Sequence, residues 1–182
     1  KGKPRRHWGL TPVGEEVGHG MNRLGMLVVL AHAAPATMDD ALRVSEAPVI
    51  FSHASARGVC DVSRNGPDDI LRRIPANCGV VMVTFVAGFI DCEVARVTQP
   101  ALVAMARRAR AATTPEERAK VFSAGMAAST VPRPSIGKVA DHTGYIRKLA
   151  GVDHIGIGGD FDGHPGCSPL PTSAPACHPP SR

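Results

Sequence analysis

The sequence predicts an α/β fold built on a parallel sheet, and three observations predict it. Apolar runs suited to strands buried on both faces occur at residues 27–30 and 49–51. Helical patterns stand between and after these runs, and alternating strand and helix patterns are the signature of βα units with parallel strands. Both runs lead into a histidine, His32 and His53. Each imidazole therefore stands at the C-terminal end of a strand. In an α/β barrel that rim carries the chemistry, because the βα loops converge there.

The elements follow in order. Residues 1–10 are basic and aperiodic and read as a loop. Thr11 and Pro12 suit the cap and first position of a helix, with Val13, Val17, Met21 and Leu24 on one face and Gly25 as its stop. The first strand follows at residues 27–30. A short helix is expected over residues 38–44, with Thr37 as its cap and Asp39 and Asp40 in its first turn, where negative charge suits the dipole. Pro48 opens the second strand, VIFSH. The RNGPDD turn leads to a helix over about residues 67–74, and Gly79 precedes a third strand at residues 80–85.

Residues 86–134 form the longest excursion. An Ala- and Arg-rich helix is expected over residues 99–112, and Thr114-Pro-Glu-Glu117 fits a capping box that opens another. Pro132 and Pro134 break it. Ser135 caps a further helix with Val139, His142, Ile146 and Leu149 on one face, stopped by Gly151. The fourth strand, residues 154–157, runs into GGDFDG. The tail, residues 164–182, is Pro-rich without apolar period and is expected to be irregular.

With 182 residues the chain can bury a core, but a complete (β/α)8 barrel usually needs about 250. A net charge of +5 is dispersed except at residues 1–6 and around Arg107, Arg108 and Arg110, and aromatics make up only 4% of the chain. Nothing here forms the stacking platform that single-stranded nucleic acid prefers, so no nucleic-acid partner is expected. The five cysteines have no CxxC spacing and an odd total, which argues against a zinc ribbon and a fully paired disulfide framework. No run approaches the ~20 apolar residues of a membrane span, and no signal segment opens the chain. The first residue is Lys, so the natural N-terminus is expected to lie upstream.

NRLGMLVVLAH, APVIFSHASARGVCDVSRNGPDD, GVVMVTF and ADHTGYIRKLAGVDHIGIGGDFDG, in this order, resemble the C-terminal half of the membrane dipeptidase (renal dipeptidase) family of zinc peptidases. The likeness runs from about Leu10 to Gly163. It implies an α/β fold that is the C-terminal half of a TIM-type (β/α)8 barrel, metal-dependent hydrolase-like, with about four parallel strands in residues 1–163. It implies hydrolysis of dipeptides by a metal-activated water at a pair of zinc ions. By resemblance, His32 and His53 fall on the histidines that hold one zinc, Arg64 on the arginine that receives the substrate carboxylate, and Asp160 on the aspartate at the substrate's amino end. His142 and His154 read as structural, and His7, His19, His164 and His178 have no motif context.

The family's bridging glutamate and His-x-Asp ligands come from earlier strands and are absent from this chain. Val29 stands where the family usually has aspartate, Ala31 and Ala54 replace serines, and Thr84 replaces asparagine. The resemblance further implies a homodimer and dependence on an N-terminal half. Open first and fourth strand edges would favour self-association of the chain alone. Two other readings stay open: a catalytically inactive remnant on the same scaffold, and a binding module that engages an acidic partner through the basic N-terminus and Pro-rich tail.

Overall fold

The computed structural model describes residues 8–127 and 134–160. Four strands form one parallel sheet in the order β1-β2-β3-β4: Val28–Val29, Val49–Ala54, Val80–Val83 and Ile155–Ile157. Sequential order with parallel pairing is what repeated βα units produce, so the fold class expected from sequence is present. The sheet's centre is the core. Phe51, Val81 and Val83 are fully buried, and the helices lay Met38, Ile70, Leu71, Ile90, Val139 and Ile146 over them.

α1, Pro12–Arg23, begins as expected: Thr11 Oγ1 accepts from the Gly14 N–H at 3.2 Å and Pro12 takes the first helical position. Gly25 follows the helix at φ +70, the left-handed conformation that glycine adopts at no steric cost. β1 is shorter than the expected four residues because it has a neighbour on one side only among the described residues; Leu30 N–H still donates to Ile50 O at 2.8 Å. α2, Pro35–Val44, starts earlier than the Thr37 cap predicts. Pro35 supplies the preset φ of a first helical residue, which leaves Thr37 inside the helix. Arg43 of α2 pairs with Glu15 of α1 and with Asp40 at 3.1 Å.

The helix expected after Pro67 is divided into α3, Asp68–Leu71, and a 3-10 turn at Pro75–Asn77. α3 stops at Leu71 because the N–H groups of Arg73 and Ile74 turn to carbonyls three residues back. β3 ends at Val83, two residues before the expected limit, and α4, Ala87–Ile90, was not expected. α5 runs over Cys92–Ala111, beginning well before residue 99. Pro100 looks like a first helical position in sequence but lies inside α5, whose true start is Asp91 accepting the Glu93 N–H at 2.9 Å. The Thr114 capping box is present: Glu117 N–H donates to Thr114 Oγ1 at 3.2 Å and Thr114 N–H to Glu117 Oε2 at 3.3 Å, opening α6, Pro115–Ala127.

α7, Ile136–Ala150, follows Ser135, whose position is that of a cap although its side chain makes no capping bond. His154 lies in a 3-10 turn ahead of β4 and bonds Gly79 O through Nδ1 at 2.8 Å, the structural role expected of it. Cys60 and Cys92 are joined in a disulfide, a pairing that spacing does not reveal, and Cys78 is the free cysteine among the described residues. The Pro-rich tail, Asp162, Gly163, His7, His164, His178, Cys167 and Cys177 lie outside the described residues.

Candidate metal and substrate site

All four residues singled out from sequence stand at the C-terminal rim of the sheet. His32 follows β1 in a tight turn closed by Ala33 N–H to Leu30 O at 3.1 Å. Its φ is +69, the left-handed value such a turn asks of its third residue. Asp160, just beyond β4, also has a positive φ, +61. Histidine and aspartate tolerate this region better than most side chains, and unfavoured backbone held in place by its surroundings tends to mark functional sites.

His53 is aimed by an irregularity in its own strand. Phe51 pairs with Val81 and Ala54 with Val83, so β2 spends one residue more than β3 over the same span. That extra residue is a local bulge, and bulges re-aim side chains beside active sites. Ser52 Oγ lies 2.8 Å from His53 Nδ1 and holds the ring. The result is that His53 Nε2 and His32 Nε2 face each other at 3.0 Å, with the rings edge to face. The two Nε2 atoms thus lie within hydrogen-bond distance of one another.

Burial, followed by the positive charge of Arg64 and by His53, lowers the His32 pKa, and Asp160 opposes this in part. A neutral imidazole is the form that ligates metal. Arg64 is half-buried; its Nη1 is buried with no hydrogen-bond partner among the described residues, and its Cζ stands 4.9 Å from the centre of the Phe89 ring. Burial lowers its pKa and Asp160 again opposes, so Asp160 exerts its charge on both His32 and Arg64. An arginine in a protein nonetheless stays protonated.

The site fits a metal as half of a ligand set. Two imidazole nitrogens converge, but among the described residues no group of three or more His, Cys, Asp or Glu is placed to hold an ion. A tetrahedral zinc takes four ligands, so two positions would be filled from elsewhere.

The family model described as Membrane dipeptidase (Peptidase family M19) matches residues 1–170. The chain belongs to the membrane dipeptidase family. It is 38% identical to dipeptidase 3 of Mus musculus over 155 residues, covering 85% of this chain and 24% of that protein. Dipeptidase 3 of Macaca fascicularis is 39% identical over the same shares. Among solved structures, dipeptidase AC, a metallopeptidase of family M19, is 25% identical with a TM-score of 0.64, covering 90% of this chain and 38% of its own. A metallopeptidase from Rhodobacter sphaeroides, liganded with a phosphinate mimic of the dipeptide L-Ala-D-Ala, is 26% identical with a TM-score of 0.63 over 90% and 37%. This membrane dipeptidase chain thus spans about a quarter of the length of the curated relatives it matches. Among its described residues no helix is long and apolar enough to cross a membrane.

Four contributors escaped sequence reasoning. Ser52 orients His53, and Phe89 lies against Arg64. Asn65 Nδ2 donates to Cys60 O at 2.9 Å and Phe89 O at 2.8 Å. At Gly158 a Cβ would overlap the Ser52 carbonyl oxygen and lie 2.9 Å from Met82 Cβ, so only glycine lets the Asp160 loop approach the His53 strand this closely. Ser52, Asn65 and Gly158 lie inside the quoted motifs, but only the fold says what they touch. His142, by contrast, is structural as expected: fully buried, it accepts the Ala56 N–H at Nδ1 at 3.1 Å and donates to Ile90 O through Nε2 at 3.2 Å.

Proposed function

We propose that this chain carries part of the site of a zinc-dependent dipeptidase: His32 and His53 hold one metal ion, Arg64 takes the dipeptide's carboxylate and Asp160 faces its amino end. The observation that carries the reading is the convergence of His32 Nε2 and His53 Nε2 at 3.0 Å beside a buried guanidinium N–H with no partner among the described residues. A zinc ion held here would lower the pKa of a bound water to about 7 and polarise the scissile carbonyl.

The chain's own side chains do the rest. Arg64 offers a planar, permanently charged donor set that matches a carboxylate. The carboxylate of Asp160 suits a protonated amino group, and its charge beside Arg64 gives the cleft opposite poles for the two ends of a zwitterion. Ser52 fixes the His53 ring so that Nε2 is the ligating nitrogen, the role that partners outside a ligand set commonly have. The remaining metal ligands come from outside the described residues. The alternative of an inactive remnant draws on the same ligand count.

Zinc binding by the purified chain, read as a rise in thermal midpoint and by titration, tests the assignment against His53→Ala. Wild type is expected to bind zinc weakly and to be stabilised by it, whereas the variant shows neither effect. Equal zinc binding by both proteins would overturn the assignment. Stoichiometric zinc and dipeptide turnover by the chain alone would refute the need for further ligands.

A further inference from the structure

We propose that Phe89 is a positioning residue for Arg64, held in place by Asn65 and by the Cys60–Cys92 disulfide, and that this frame sets how well the guanidinium receives a carboxylate. The proposal rests on Arg64 being the carboxylate seat and goes on to name what holds it.

Arg64 Cζ stands over the Phe89 ring at 4.9 Å, and the ring attracts the cation without consuming an N–H donor. The donors therefore stay available to a ligand, and Nη1, buried, has no partner among the described residues. A long side chain left to itself would lose much rotamer freedom on binding. A ring against the guanidinium removes part of that cost beforehand.

Phe89 belongs to α4, which has four residues and cannot hold its shape by its own hydrogen bonds. Its surroundings hold it instead. Asn65, fully buried and next to Arg64 in sequence, donates from one amide group to both Cys60 O and Phe89 O. His142 Nε2 fixes Ile90 O, one residue on. The disulfide ties Cys60, four residues before Arg64, to Cys92, three residues after Phe89. The ring itself packs against Cys60, Val62 and Ala95. The segment that bears Arg64 and the segment that bears Phe89 are thus pinned to each other at three points. Cys92 is exposed, so a reductant can reach the tether.

Binding of the dipeptide Ala-Ala and of its C-terminal amide to the full chain, followed by NMR titration with the Arg64 Nε–Hε resonance as reporter, tests the frame. Phe89→Leu is expected to weaken Ala-Ala by roughly 3- to 30-fold, the range a desolvated cation–π contact supplies, and to leave the amide unchanged. It should also move the Arg64 resonance, which loses the ring current. Phe89→Trp retains the wild-type affinity, and the Cys60→Ser/Cys92→Ser double variant weakens Ala-Ala in the same selective way. If Phe89→Leu binds Ala-Ala within twofold of wild type while Arg64→Gln does not, or if it weakens both ligands alike, the positioning role is wrong and the carboxylate seat stands. If Arg64→Gln binds Ala-Ala as wild type does, or wild type fails to prefer Ala-Ala over its amide, the seat is wrong and the frame falls with it.

Discussion

Acidification should loosen this domain in part through one buried histidine. His142 is fully buried on α7, with Nδ1 accepting the Ala56 N–H and Nε2–H donating to Ile90 O. The Ala56 bond requires the neutral ring, because a proton on Nδ1 would point at the Ala56 N–H, whereas the Nε2–H donor bond survives in either form. Burial accordingly lowers the His142 pKa below its ordinary 6.5, with the Ile90 bond opposing in part. The unfolded chain therefore binds this proton more readily than the folded one. The stabilisation is complete above about 6.5 and is lost as pH falls from there through the lower folded value; one proton bounds the slope at about 1.4 kcal/mol per pH unit. His142→Gln keeps a donor and an acceptor but does not titrate, whereas His142→Ala orphans two buried backbone groups at about 1–3 kcal/mol each, plus the lost packing. Urea unfolding at pH 7.5, 6.5 and 5.5 is the assay. Wild type should lose stability relative to His142→Gln across that interval, and His142→Ala should be the weakest at pH 7.5. A constant difference between wild type and His142→Gln, or a wild type that gains on it as pH falls, would refute the account.

Three further outcomes follow from the same geometry. Gly158→Ala forces a methyl group against the Ser52 carbonyl and Met82, so it should cost about 1–3 kcal/mol in urea unfolding and reduce the stabilisation by zinc; full retention of both would show that the loop has room to shift. Phe51→Ala empties the centre of the core and should cost about 3–5 kcal/mol, enough to leave much of the chain unfolded at 25 °C by circular dichroism. The edges of β1 and β4 carry Val29 at 47% and Ile157 at 53% exposure, so the chain alone should self-associate, and Val29→Lys should shift sedimentation toward monomer without lowering stability by more than about 0.5 kcal/mol; an unchanged oligomer distribution would point away from the β1 edge.

Hydrophobic continuity at residues 27–30, 49–51 and 80–83, alternating with helical patterns, was enough to read a parallel sheet, although Leu27 and Val29 at the β1 edge stand exposed. Local chemistry was equally legible: the Thr11 cap, the Gly25 stop and the Thr114–Glu117 box each act within four residues, so the sequence holds all of their partners. Where competing signals met, local reading failed. Pro100 imitates a helix start, and the earlier start at Asp91 rests on a cap that many aspartates offer; α3 stops at Leu71 because the N–H groups of Arg73 and Ile74 turn to carbonyls three residues back. The four residues named from sequence stand together at one rim, with Asp160 acting on His32 and Arg64 across more than 90 residues of chain.

What sequence by itself determined is the set of strands, their order and which side chains stand at their ends. These follow from periodicity and from short-range hydrogen bonding. Only the tertiary structure decided that an added residue in β2 turns His53 toward His32, that Gly158 must lack a side chain to pass the Ser52 carbonyl, and that Cys60, Asn65 and Phe89 close around Arg64. Those contacts join segments about 20 to 106 residues apart, and their energies depend on distances that no local pattern encodes.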